Sequence, residues 1–237
     1  MQPGSDDRAE RPREGSFFGR RKGKTLRAGH RGLMDHRLPA LRIDLDRCGD
    51  PTAVFAAKPA EIHLEIGFGG GEHLAQRAAE RPDIGFIGCE GFVNGVAKLL
   101  SLIEADGLRN IRIHDDDARF LIDRLPAGSV DRVYLLYPDP WPKRKHRKRR
   151  FLGEDMLARL ARIMRPGAEL RFATDIDDYA AFALARVARS PDFEWTAERS
   201  TDWLTPWEGW QSTRYELKAK REGRVSGYFS FRRVARP

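Results

Sequence analysis

The fold turns on the stretch "EIHLEIGFGGGEHLAQRAAER", Glu61–Arg81. Its first six residues set Ile62, Leu64 and Ile66 two apart, the period of a strand. Gly67, Gly69, Gly70 and Gly71 follow. Glycines allow positive φ and let a ligand approach the backbone closely. Residues 72–81 then have helical character and stop before Pro82. A strand, a glycine loop and a helix N-terminus with free N–H groups form a site for a nucleotide-like ligand.

Working outward, the same alternation continues. Strands are predicted at 84–90, 110–115, 130–137 and 168–174, and helices at 93–107, 118–125, 153–167 and 176–190. Such alternation predicts an α/β fold: a Rossmann-like, doubly wound, mostly parallel sheet with helices on both faces. Two final strands, 193–198 and 227–234, predict an antiparallel pair at the end. A long loop carrying Trp203, Trp207 and Trp210 separates them.

The glycine spacing narrows the ligand. A pyrophosphate site spaces its glycines G-x-G-x-x-G. Here the run is G-F-G-G-G-E, with Glu65 before it and Glu72 directly after. Carboxylates there repel a pyrophosphate and suit an amino group or a sulfonium, the charges of S-adenosylmethionine. Gly67 and Gly69 are the expected backbone contacts. Glu90 ends the second strand, where a carboxylate can accept hydrogen bonds from both ribose hydroxyls. The third strand ends in "HDDDAR" (114–119). An aspartate there can reach an adenine amine; Asp117 is favoured over Asp116 because Ala118 begins a helix. Each carboxylate alone could simply cap a helix.

The fourth strand runs into "YPDPWPKRKHRKRRF", Tyr137–Phe151. Prolines on both sides of Asp139 hold its backbone. Residues Lys143–Arg150 are all Lys or Arg except His146 and supply seven positive charges, against a net charge of +8 for all 237 residues. The excess is therefore local, which points to a polyanionic partner. A solvated loop is the bland alternative for such a run, and simple packing is the bland alternative for Trp141.

Residues 1–50 read as a basic arm, disordered in its first part, and 51–237 as the folded domain. "FFGRRKGKTLRAGHRG" (17–32) suits an arm that lies on RNA or folds back on the domain. Two cysteines, Cys48 and Cys89, build no disulfide framework or metal cluster. No apolar run approaches the roughly 20 residues of a membrane span, and no signal core opens the chain. A cytoplasmic protein without membrane association is expected.

Taken together, "LEIGFGGGE", "GCEG", "DDA", "YPDPWPKRKHRKRRF", "FATD" and "STRYE" run in one order from residue 61 to 216. In that order they resemble the tRNA (guanine-N7)-methyltransferase family. The resemblance implies a class I methyltransferase architecture and methyl transfer from S-adenosylmethionine to N7 of guanine at position 46 in the tRNA variable loop. It implies that Glu65, Glu90, Asp117 and Asp139 contact the cofactor. It also implies that Lys143, Asp175, Thr213, Arg214, Tyr215 and Glu216 contact the substrate. Arg144, Lys145, His146, Arg147, Lys148, Arg149 and Arg150 would lie on RNA. No obligate protein partner is expected.

Guanine N7 has a lone pair and no proton, so the reaction needs neither a general base nor a metal. It needs alignment, and a carboxylate near the purine as positive charge develops. Asp139 is the first candidate for that catalytic role and Asp175 the second. Three other readings compete: a methyltransferase acting on an exocyclic amine, an RNA-binding subunit without catalysis, and a dehydrogenase.

Overall fold

The computed structural model describes residues 19–235. The disorder expected at the start of the chain lies largely outside the described residues. Five strands are parallel: β1 Glu61–Ile66, β2 Ile84–Cys89, β3 Ile111–His114, β4 Val130–Leu136 and β5 Met164–Thr174. β6 (Phe193–Trp195) and β7 (Gly227–Arg233) complete a seven-stranded sheet of order β3-β2-β1-β4-β5-β7-β6. β7 is antiparallel to both β5 and β6. The strand order reverses between β1 and β4, so a crevice opens beyond their carboxyl ends.

Helices cover both faces of the sheet, whose central strands are buried almost throughout. One core joins Ile62, Leu64 and Ile66 of β1 to α5 (Ala118–Arg124), α6 (Glu154–Ile163) and α7 (Asp177–Val187). The other joins β2 and β3 to α3 (Glu72–Glu80) and α4 (Val93–Asp106). α1 (Ala28–His36) and α2 (Leu38–Leu41) belong to this second layer, and Leu38 and Leu41 are fully buried in it. Ile43 and Cys48 are buried in the first core. Residues assigned above to the arm thus pack within the domain well before position 51.

Two other expectations are revised. The helix predicted over 153–167 ends at Ile163, and Met164 is already extended. Arg165 precedes Pro166, and a residue before proline is disfavoured in the helical region. The long tryptophan loop contains α8 (Thr201–Leu204) and α9 (Arg214–Arg221). Thr213 caps α9 by accepting from the Glu216 N–H. Its tryptophans tie the segment to β7. Trp203 stacks on Phe229, and Trp207 Nε1 donates to Ser230 Oγ at 2.9 Å.

Candidate active site

The carboxyl ends of β1 to β4 border one cleft of about 530 Å³. Gly67 and Gly69, both at positive φ, line it beside Glu90. The N-terminus of α4 closes on the loop so tightly that a methyl group at Gly95 would sit 2.1 Å from the Gly69 carbonyl oxygen. Glu90 accepts from the Gly69 N–H and the Phe92 N–H, both at 2.8 Å. Burial pushes its pKa up, against the pull of those two N–H donors. A carboxylate has about four acceptor sites, so lone pairs remain for ribose hydroxyls.

Asp116 and Asp117 both line the cleft. Asp117 is buried, caps α5 through the Arg119 N–H, and pairs with the Arg119 guanidinium. Asp116 pairs at 2.8 Å with Arg21, from the N-terminal segment. That segment folds back along the cleft. Asn94 grips it on both sides, accepting from Gly23 N at 2.8 Å and donating to Lys24 O at 2.7 Å. Gly19 and Arg20 thereby reach the cleft wall. Sequence reading allowed this return without identifying Asn94 as its anchor.

Glu65 does not line the cleft. It is buried and accepts from His73 Nδ1 at 2.6 Å, with His73 packed against Tyr134 and Trp210. Glu72, the other expected acidic bracket, forms an ion pair with Lys98.

After β4, Asp139 projects into the cleft from a strained turn. Tyr137 and Trp141 bracket Pro138-Asp139-Pro140 at φ +50° and +42°. Non-glycine residues there cost on the order of 1–3 kcal/mol each, and the surroundings must hold them. The Tyr137 N–H donates to Ala173 O at 2.8 Å, and its hydroxyl lies 2.9 Å from Ser226 Oγ. Asp139 is solvent-accessible at the cleft wall, and desolvation by its surroundings alone raises its pKa. Trp141 lines the same cleft, with the Arg149 guanidinium 5.0 Å over its ring.

The basic segment leaves this turn as a 3-10 helix, Arg144–Arg149. Lys143, Arg144, Lys145, Arg147 and Lys148 are exposed, and His146 and Arg149 partly so. Arg147 pairs with Asp178 at 2.6 Å. Arg150 departs from expectation: its side chain has no exposed surface, so it cannot lie on RNA.

The late residues divide. Tyr215 lines the cleft, and a methyl group at Gly69 would meet its ring at 3.3 Å and Arg214 at 3.1 Å. Thr213 and Glu216 work inside the fold instead. Glu216 is buried, accepting from Trp210 Nε1 at 2.7 Å and Tyr228 OH at 2.8 Å. The sequence Thr213-x-x-Glu216 has capping-box spacing, a signal that could have revealed α9 in advance, although only its Thr213 half is formed. Asp175 pairs with Arg224 at 2.6 Å and does not line the cleft. A second, more open cleft of about 630 Å³ lies behind the basic segment, against α7, and no strand end borders it.

Crevice position, glycine loop and acidic strand ends together define a class I methyltransferase. The family model described as "Putative methyltransferase" matches residues 59–226. The tRNA (guanine-N(7)-)-methyltransferase of Rhizobium meliloti (strain 1021) is 58% identical over 221 residues, covering 92% of this chain and 95% of its own. That of Agrobacterium fabrum is 52% identical, covering 96% and 98%. The chain belongs to the tRNA (guanine-N(7)-)-methyltransferase family. Among solved structures, a 16S rRNA (adenine(1408)-N(1))-methyltransferase from Catenulisporales acidiphilia superposes with TM-score 0.54 at 15% identity, covering 82% of this chain and 93% of that one. TrmN from Thermus thermophilus gives 0.52 at 18% identity, covering 86% and 48%. These two matches speak for the fold alone.

Proposed function

We propose that the chain transfers the methyl group of S-adenosylmethionine to N7 of guanine at position 46 in the tRNA variable loop. The observation that carries this reading is a shared cleft. Asp139 faces the same space as Glu90 and the Asp116–Asp117 pair, and the basic segment begins four residues after it. Family membership and the names of close relatives support the same reaction.

The residues fit the cofactor. Gly67 and Gly69 give a backbone wall without side chains, Glu90 has lone pairs free for the ribose, and Asp116 or Asp117 meets the adenine. Glu65 contributes through His73, from behind the loop. When bound, S-adenosylmethionine supplies a methyl group on a sulfonium centre.

Asp139 then does two things. Its carboxylate accepts from guanine N1–H and N2–H₂, donors that adenine does not present together. It also stabilises the positive charge that spreads into the purine as N7 bonds to carbon. The partial desolvation that raises its pKa also strengthens this effect. Tyr215 and Arg214 stand across the cleft at Gly69, where they orient the base. Arg144, Lys145 and Lys148 hold phosphates, which sets register without reading sequence. A tRNA substrate is in keeping with a cytoplasmic protein.

The test is methylation of unmodified tRNA with labelled cofactor, followed by mapping of the product. The expected product is 7-methylguanosine at position 46. A methyl group on an exocyclic amine would overturn the reading.

A further inference from the structure

We propose that Arg150 is a positioning residue for Asp139, clamping the Pro-Asp-Pro turn to α7 from inside the fold. This rests on the reading of Asp139 as the charge-stabilising carboxylate.

The basic run is not uniform. Seven of its eight residues are exposed or partly exposed, and Arg150 alone is buried. A buried guanidinium is costly unless its donors are met. Here each nitrogen has an acceptor. Nε donates to the Pro140 carbonyl at 2.8 Å. Nη1 donates to the Asp178 carbonyl at 2.9 Å. Nη2 donates to the Asp178 carboxylate. The planar group also lies over two rings of α7, 5.0 Å from the centre of Tyr179 and 4.9 Å from that of Phe182. Tyr179 returns the connection by accepting from the Phe151 N–H at 3.0 Å.

Pro140 directly follows Asp139, so the Nε bond fixes the peptide carbonyl one residue beyond the carboxylate. The turn is bracketed by Tyr137 and Trp141 at positive φ and does not hold itself. Its first end is held by Tyr137, through Ala173 and Ser226. Its second end is held by Arg150. Only a forked donor can serve Pro140 and Asp178 together; a lysine ammonium is a point donor on a flexible stem. Arg150 therefore differs in kind from Arg144, Lys145 and Lys148: its charge is used within the protein.

Two variants test this, Arg150→Lys and Arg150→Gln, each also made with Asp139→Asn. Single-turnover rate, tRNA Kd and the salt dependence of that Kd are measured on every protein. Arg150→Lys keeps the charge and leaves Pro140 without its donor. It is expected to lose about ten- to a hundredfold in methyl-transfer rate, the scale of a misplaced catalytic group. tRNA Kd and its salt slope stay within twofold of wild type. In the Asp139→Asn background the same change costs less than threefold, because the group being positioned is gone. Arg150→Gln is expected to show the same pattern. If it fails to fold, Arg150→Lys decides alone.

A wild-type rate in Arg150→Lys overturns the proposal. So does a salt slope lowered by about one in Arg150→Gln, the sign of a lost phosphate contact. A full rate loss from Arg150→Lys that persists beside Asp139→Asn also overturns it, by showing that Arg150 acts through another group. Failure of the underlying reading looks different: Asp139→Asn alone then turns over at the wild-type rate.

Discussion

The glycine loop after β1 and the Pro-Asp-Pro turn after β4 lie on neighbouring strand ends and reach left-handed backbone by opposite routes. In the loop, Gly67, Gly69 and Gly71 carry the positive φ values, and glycine adopts them without strain. In the turn, Tyr137 and Trp141 carry them, and contacts from β5, Ser226 and Arg150 hold the shape. The loop needs only absence of side chains, so its backbone can come close to a ligand. The turn must hold one charged oxygen pair in a fixed place, and a stiff, braced turn does that better than a free one.

The largest effect is expected where the braced turn meets the chemistry. Asp139→Asn keeps the shape, removes the charge, and turns an NH₂ toward guanine donors. Single-turnover methylation should fall about a hundredfold or more, the scale of losing one electrostatic stabiliser. tRNA affinity should stay near wild type, as the basic segment supplies most of it. Substantial activity in this variant would remove the contrast between the two strand ends.

Next comes the basic segment. Replacing Arg144, Lys145 and Lys148 with alanine removes exposed charges only. The slope of log Kd against log salt should drop by up to about 0.9 per lost phosphate contact, and tRNA binding should weaken across sequences. Cofactor affinity should not move.

The loop itself is broken by Gly69→Ala. A methyl group at φ +58° costs about 1–2 kcal/mol and crowds Arg214 and Tyr215. Thermal unfolding should report that strain as lost stability, and calorimetry should show cofactor Kd rising roughly tenfold, about 1.4 kcal/mol, because the added methyl group takes space in the cleft wall. The matching change in the turn, Tyr137→Phe, removes the hydroxyl's contacts with Ser226 and Tyr228. It should cost about 1 kcal/mol of stability and a few-fold in rate, with cofactor affinity unchanged.

The smallest effect concerns pH. Desolvation by its surroundings raises the Asp139 pKa, so its ionised form is lost at a higher pH than for an ordinary aspartate. Activity should fall as pH drops through that raised value. In Asp139→Asn the remaining acid limb should shift to reflect other groups, Glu90 among them.

Most of the architecture was legible because it rests on local signals. Period-two apolar residues gave the parallel strands, and acidic strand ends marked the cleft. What escaped depends on long-range contacts. Nothing local to Arg150 separates it from Arg149; its burial follows from α7 bringing Asp178 and Tyr179 across the turn. Glu65 and Asp175 read as ligand contacts by position, yet His73 and Arg224 occupy their carboxylates. Leu38 and Leu41 looked like part of an arm because a two-turn apolar pattern is too short to announce a core. α9 is hard to read for another reason: it is polar and buries only Glu216 and Ala219, so no apolar stripe marks it.

The place of β7 bears on synthesis. It is the last strand in sequence, yet it sits between β5 and β6. While the chain emerges from the ribosome, β1 to β5 can assemble in order, and domains tend to form from the N-terminal side. Among the described residues β6 pairs in the sheet with β7 alone, so its strand pairing waits for residues 227–233. Tyr228 on that strand also donates to Glu216, the residue that seats α9 beside the glycine loop. The nascent protein can thus shape its crevice from β1 to β4 first, while the wall carrying Arg214 and Tyr215 closes only once residues 227–233 have been made.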